Sequence, residues 1–338
     1  MIDLLPSAEQ QQIIDSVVEF LERALPVARL RAAADSWRIA DPVWKEIAGL
    51  GWFGLALSQE EGGTGYSLIE EMLVARECGR YVASPALIAA MLAAHVAARA
   101  GKHALLEGIL SGELRVGLAN ALPDTNRRAP QYHLLDADGT HLVLYWNEEG
   151  MGLHERAAFE TTTAVESLDE AVRLVRAAAP NGAPCAWVSA QHAALTRRAA
   201  LLICAQLVGV AEAAKDDAVA YAKTREQFGQ PIGAFQALKH ECAEMAVECE
   251  AAYAQTFFAG LAEHGGRADA EFQCAVAALL TTQASLKNAR ANIQIHGGVG
   301  FTSECDAHRY LKRAHLLGQL GGIARQQRRL LLAPISED

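Results

Sequence analysis

The sequence predicts a mainly α protein with a small β-domain in the middle of the chain. Three observations predict it. Apolar residues recur at helical spacing over roughly the first third, short β-rich runs surround a turn signal in the middle, and long helical patterns punctuated by paired glycines fill the remainder. The resulting domains are an N-terminal helical domain over 1–114, a reduced central β-domain over 115–192 and a C-terminal helical bundle over 193–338.

The first segment opens on Ser7-Ala8-Glu9-Gln10, which has the form of a capping box, and Ile13, Val17, Phe20, Leu21 and Leu25 follow at helical spacing. Asp41-Pro42 is a second start signal, a capping acid followed by proline at the first helical position. Gly62-Gly63-Thr64-Gly65 breaks the pattern before another helix begins near Ser67. In the middle, Gln131 to Leu135 and Thr140 to Trp146 read as strands flanking the turn signal Asp136-Ala137-Asp138-Gly139. In the last segment Phe235, Leu238, Cys242, Met245, Cys249 and Ala252 alternate steps of three and four, the seam of a helix packed in a bundle.

A chain of 338 residues that is 51% hydrophobic can bury a substantial core, and its length points to two or three packed units. The formal net charge of −10 repels a phosphate backbone, so no nucleic-acid partner is expected. Arg325, Arg328 and Arg329 read as a cationic helix end facing its own dipole. The seven cysteines are odd in number, scattered and never spaced as C-x-x-C, which argues for a reducing compartment; no metal site is read. Residues 1–30 lack a basic stretch followed by an apolar one, and no run of about 18 apolar residues is found. The expectation is a cytoplasmic protein without signal peptide or membrane span.

Two stretches carry chemistry. Arg225-Glu226-Gln227-Phe228-Gly229-Gln230-Pro231-Ile232-Gly233-Ala234-Phe235-Gln236 lies between two predicted helices. An arginine fork suits phosphate oxygens, a phenylalanine offers a flat apolar face, and the glycine and proline residues hold a fixed turn. These parts suit a dinucleotide; the plain reading is an ordinary helix connection with a solvated arginine. Gln294-Ile295-His296-Gly297-Gly298-Val299-Gly300-Phe301 closes a long helix. Its glycines permit close backbone approach and Gln294 can bridge donors and acceptors, whereas the plain reading is a C-cap with His296 as a packing residue.

The pattern R-x-Q-F-G-x-P-I-x-x-F-Q, followed about sixty residues later by Q-x-H-G-G-x-G-F, resembles the signature pair of the acyl-CoA dehydrogenases. Gly51-Trp52-Phe53-Gly54-Leu55 followed by Glu60-Glu61-Gly62-Gly63-Thr64-Gly65 is similar to the family's N-terminal motif. The resemblance implies an N-terminal helical domain, a central β-domain and a C-terminal four-helix bundle, with FAD lying across a subunit interface. It implies that Arg225 meets the pyrophosphate, that Phe228 packs against the adenosine region and that Gln294, Gly297 and Gly298 line the diphosphate. Gln236 is a weaker addition.

The chain departs from the family where the catalytic glutamate belongs. The stretch matching the usual base motif is Leu317-Gly318-Gln319-Leu320-Gly321-Gly322-Ile323, and no acid occurs between Asp306 and Glu337. The alternative position near Ala199 lies in a stretch without acid from Glu170 to Glu212. No Y-x-x-T-E-x-x-x-G-S or W-I-T-N run, which in the family seats the flavin ring, occurs between 115 and 192. No catalytic residue is therefore assigned. The pattern resembles the short subunit of heteromeric α₂β₂ acyl-CoA dehydrogenases that bacteria use on steroid side chains, with Thr302-Ser303-Glu304-Cys305-Asp306 and Lys312-Arg313 as a loose echo of that group. It implies an acyl-CoA substrate, a longer partner subunit that supplies the base, and an electron acceptor such as an electron-transfer flavoprotein. Three other readings stay open: a homomeric dehydrogenase with Glu241 as a relocated base, a flavin monooxygenase on the same fold, and a helical scaffold without flavin. Glu241, Glu244 and Glu248 repeat at helical spacing, which reads more simply as a solvated acidic face.

Overall fold

Helix α1 (Ala8–Ala24) begins on the predicted capping box: Ser7 Oγ accepts the Gln10 amide at 3.2 Å and the Gln10 side chain accepts the Ser7 amide at 2.9 Å. Its buried face is Ile14, Val17, Phe20 and Leu21. The structure, a computed structural model, describes residues 4–31, 38–122, 130–147, 149–160, 162–189, 193–320 and 331. Arg325, Arg328 and Arg329 lie outside the described residues, as does the end of the stretch from Leu317 to Ile323. The chain divides into two units, one made of 1–32, 72–82 and 200–338, the other of 33–71 and 83–199.

Besides α1, the first unit contains the later part of α3 (Leu68–Arg80), most of α6 (Ala193–Thr224), and α7 (Gln236–His264), α8 (Ala270–His296) and α9 (Ala307–Leu317). The predicted seam lies on α7: Met245, Cys249 and Ala252 are buried, while Phe235, Leu238 and Cys242 are half-buried against Ala218, Ala222, Ala291 and Ile295 of α6 and α8. The stretch Ala194–Thr224 is long and apolar enough, by composition, to cross a membrane, a property hidden from a search for uninterrupted apolar runs. Of its most apolar window, 78% is buried inside the protein, the pattern of a core helix covered over most of its surface.

The second unit holds α2 (Asp41–Gly49), α4 (Ala86–Arg99), α5 (His103–Leu110) and the strands β1 (Val116–Ala121), β2 (Gln131–Leu135), β3 (Leu142–Asn147), β4 (Gly150–Glu155), β5 (Thr162–Val165), β6 (Leu174–Ala178) and β7 (Ala186–Ser189). These form a seven-stranded sheet in the order β5-β6-β2-β1-β3-β4-β7, antiparallel except for the β1–β3 pair. The two predicted strands are β2 and β3, with β1 between them, so the turn at Asp136 does not close a hairpin. Asp136 instead adopts φ 48°, its carboxylate accepting the Arg173 amide at 2.8 Å and the Ser84 hydroxyl. Every residue of α4 from Ala86 to Ala97 is buried, and the helix packs on β1, β3, β4 and β7. At α2 the start signal falls one residue off: Ala40 is the cap, and the Asp41 carboxylate binds Arg115 at 2.7 Å and Arg38 at 3.2 Å rather than a helix amide.

Candidate functional site

Helix α6 ends at Thr224 and the chain turns back through a short hairpin, β8 (Glu226–Gln227) paired with β9 (Gln230–Pro231). Arg225 stands at its root: its amide donates to Tyr221 O at 2.9 Å and its carbonyl accepts the Ile232 amide at 2.8 Å. The Arg225 side chain is exposed, with no carboxylate partner among the described residues. A type I′ two-residue hairpin turn needs positive φ at both central residues, for which Asn-Gly is the favoured pair. Here Phe228 takes φ 54° and Gly229 φ 79°. A bulky L-residue there costs about 1–2 kcal/mol, yet the Phe228 side chain is 92% exposed and touches Phe235 only edge-on, with centroids 6.0 Å apart. Neither local propensity nor packing among the described residues accounts for phenylalanine at this position.

The second motif closes α8. Gly297 caps the helix at φ 65°, ψ −143°, a conformation nearly restricted to glycine, and donates its amide to the carbonyls of Gln294 and Ile293. Gly298 differs. Its φ is not positive, and a Cβ built there would meet no atom of the described residues, its chain neighbours aside, within 4 Å, so nothing among them requires glycine. The turn Gly297–Phe301 also carries Val299 and Phe301, which are 50% and 73% exposed. Gln294 is exposed beside this turn, and Gln236, the first residue of α7, is exposed and donates through Nε2 to His240 at 3.1 Å.

The two motifs leave one apolar cluster. Ala218 and Ala222 of α6, Ile232 beyond the hairpin, Met245 of α7, and Ala291 and Ile295 of α8 form its core, with Tyr221, Phe235, Leu238 and Cys242 packed against it. The cluster brings the segments carrying all six predicted residues to one end of the bundle. There an exposed guanidinium without a carboxylate partner among the described residues, an exposed aromatic ring and an open glycine backbone can offer a ligand charge, a stacking face and close approach. His296 is the packing residue of its plain reading, 8% exposed and stacked on Tyr221. The exposed Val299 and Phe301 are not singled out by the sequence, although two apolar residues in a glycine-rich turn are a signal that could have found them.

Two buried ionic groups escape the sequence because their members are far apart along the chain. In the second unit, Glu71 is fully buried, its carboxylate accepting His95 Nε2 at 2.8 Å and the Arg198 guanidinium. Burial alone would raise its pKa, but the charges and hydrogen bonds of His95 and Arg198 outweigh this and hold the carboxyl below its ordinary range. In the first unit, Arg76 binds Glu212 at 2.8 Å and Glu77 at 3.0 Å, and Arg80 binds Glu212 at 3.2 Å and Asp216 at 2.7 Å. Burial pushes the Glu77 carboxyl upward against the pull of both arginines. This network forms part of the wall of a cavity of about 590 Å³ that Ile14, Cys249 and Tyr253 also line. Glu241, the relocated base of the homomeric alternative, is half-buried on α7, and on the same helix Glu248 and Glu244 lie 2.9 and 3.6 Å from Lys287 of α8.

Comparison with known proteins matches residues 7–113 to the acyl-CoA dehydrogenase N-terminal domain and residues 187–335 to the acyl-CoA dehydrogenase C-terminal domain. The chain is 34% identical over 318 residues to acyl-CoA dehydrogenase FadE34 of Mycobacterium tuberculosis, covering 88% of itself and 42% of that protein, so it spans less than half of FadE34. It is 31% identical to acyl-CoA dehydrogenase IpdE2 of the same organism, with 94% of each chain covered. Among solved structures it superposes on the Tcur3481-Tcur3483 steroid ACAD G363A variant with a TM-score of 0.79 at 26% identity, covering 96% of both chains. The matched domains span most of the sequence and the observed fold agrees with theirs, so this chain belongs to the acyl-CoA dehydrogenase family of flavin-dependent oxidoreductases.

Proposed function

We propose that this chain is the short, base-free subunit of a heteromeric acyl-CoA dehydrogenase. It holds the adenosine diphosphate portion of FAD, while a longer partner supplies the catalytic glutamate for α,β-desaturation of an acyl-CoA. The observation that carries the reading is the juxtaposition of Arg225, the strained and exposed Phe228, and the open Gly298 backbone above one apolar cluster. Strain that packing does not require is best accounted for by a bound group or partner. FAD held here would supply the hydride acceptor for the desaturation, which also needs a carboxylate to remove the α-proton, and this chain has no acid at either position where the resemblance places the family's base. Its own contribution is to hold and orient: Arg225 neutralises diphosphate charge, Gly297 and Gly298 admit the phosphates to the backbone, Gln294 bridges donors and acceptors, and Phe228 covers the adenosine region, with Gln236 at its edge. The similarity to a steroid ACAD supports a steroid thioester as the substrate class; a side-chain thioester, an α₂β₂ assembly, an electron-transfer flavoprotein as the electron acceptor and a cytoplasmic setting complete the proposed reading.

Arg225→Ala tests the reading. A charge-assisted hydrogen bond contributes about 1.5–3 kcal/mol, and about 1.4 kcal/mol is tenfold in affinity. The expected result is a loss of flavin affinity of roughly tenfold or more, read as FAD content after gel filtration of the co-expressed complex. The melting temperature of the flavin-free protein should stay near wild type, because the side chain is exposed. Equal FAD retention would reduce Arg225 to an ordinary surface residue.

The homomeric alternative rests on Glu241. If Glu241 belongs to a solvated acidic face, Glu241→Gln leaves turnover within about threefold of wild type, whereas loss of a general base costs on the order of 10²-fold or more. A drop of that size at unchanged stability would establish the homomeric reading instead.

A further inference from the structure

The two motifs are separated by about seventy residues of sequence, yet they meet through a ring stack. Tyr221, one turn before Arg225 on α6, lies on His296 of α8 with centroids 4.1 Å apart and planes 24° apart. His296 is locked from beneath: Nδ1 donates to Asn292 O at 2.9 Å, the Asn292 amide donates to Asp217 Oδ2 at 2.9 Å, and His296 Nε2 lies 3.9 Å from the same Asp217 oxygen. Asn292 is fully buried, and Asp217 stands one turn before Tyr221 on α6. The lattice therefore ties the last two turns of α6 to the last turn of α8, closing through one carboxylate. Each end of the stack leads directly into a motif. The Tyr221 carbonyl accepts the Arg225 amide at 2.9 Å, and His296 is the residue on which the Gly297–Phe301 turn is capped. At Gly300 a Cβ would lie 2.8 Å from Ile293 O and 3.1 Å from His296 Cβ, so that turn packs closely against the end of α8.

We propose that Tyr221 and His296, held by Asp217 and Asn292, are positioning residues that set the separation between the Arg225 hairpin and the Gly297–Gly298 turn, so that both reach one diphosphate. This inference deepens the reading under Proposed function and rests on it. None of the four residues needs to touch the ligand. The stack replaces what would otherwise be two independently placed loops by one rigid spacer, and preorganisation of that kind is realised as affinity because less ordering remains to be done on binding.

The test is a double-mutant cycle in the co-expressed complex, with FAD affinity as the readout. Tyr221→Leu removes the stack, Tyr221→Phe keeps the ring, and Arg225→Ala removes the charge. Aromatic pairing of this kind corresponds to a loss of about fivefold in flavin affinity for Tyr221→Leu, with Tyr221→Phe close to wild type. Tyr221→Leu should have little further effect once Arg225 is alanine, because a residue that acts by placing Arg225 has nothing left to place. A merely structural tyrosine would give independent, multiplying losses, and that outcome, or wild-type affinity in Tyr221→Leu beside a large loss in Arg225→Ala, overturns the positioning role while leaving the flavin grip intact. A silent Arg225→Ala overturns both. If Tyr221→Leu lowers the melting temperature of the flavin-free protein, His296→Gln removes the other ring of the stack while keeping a donor for Asn292 O, and the same cycle with Arg225→Ala decides.

Discussion

Assayed alone with an acyl-CoA and an electron acceptor, the purified chain is expected to give no turnover above background and to carry little FAD, and co-expression with a longer partner is expected to restore both. The argument is chemical. Desaturation requires a carboxylate at the α-carbon, and the absence of a general base costs on the order of 10²-fold or more. The sequence has no acid from Ala307 to Ser336 or from Ala171 to Ala211, the two stretches in which the family places its base. The runs that the resemblance expects to seat the flavin ring do not occur in 115–192, so on the proposed reading the chain would grip one end of the cofactor only. The measurement is turnover together with FAD per subunit, for the single chain and for the complex. Robust turnover by the single chain with bound yellow flavin would overturn the division of labour proposed above.

The second large effect concerns stability. Glu71→Ala should destabilise the second unit by about 3–5 kcal/mol, because removing one partner of a buried ion pair leaves the other uncompensated. His95 is buried and the Arg198 side chain is only 15% exposed, so neither can turn freely to water. Urea denaturation of wild type and variant measures this, and a loss below about 1 kcal/mol would mean that water reaches the site. The group also has a pH signature. The Glu71 carboxyl is held below its ordinary value of about 4.5, so its contribution is fully present above that pH and is lost as pH falls through the lower value of the folded state. Glu71→Gln should therefore flatten the acid limb of the stability profile below about pH 4.5. An unchanged acid limb would place the proton uptake on other carboxylates.

Much of the fold was legible in the chain because its signals are local. The capping box at Ser7, the seam from Phe235 to Ala252 and the strand Gln131–Leu135 each depend on residues within a few turns or pairs of one another. The cap at Asp41 misled because an aspartate before proline can serve an arginine as readily as a helix amide, and Arg115 lies 74 residues away in sequence. The apolar character of α6 was missed because scattered polar residues interrupt every long run, while a sliding average does not notice them.

At the site, residue type and spacing drew attention to the two stretches, and the family resemblance singled out Arg225, Phe228, Gln236, Gln294, Gly297 and Gly298 within them; the sequence alone determined that no acid lies between Asp306 and Glu337 or between Glu170 and Glu212, since the lack of a residue type requires no coordinates. Only the tertiary structure decided that the two motifs share one apolar cluster, that Phe228 is exposed in a strained conformation, that Gly298 faces open space, and that Tyr221 and His296 join the motif roots. The Glu71–His95–Arg198 group belongs with these. The physical reason is range: helix periodicity, caps and turns are set by neighbours along the chain, whereas a ring stack or a buried ion pair depends on which helix faces meet after packing, and no pattern within either segment specifies that meeting.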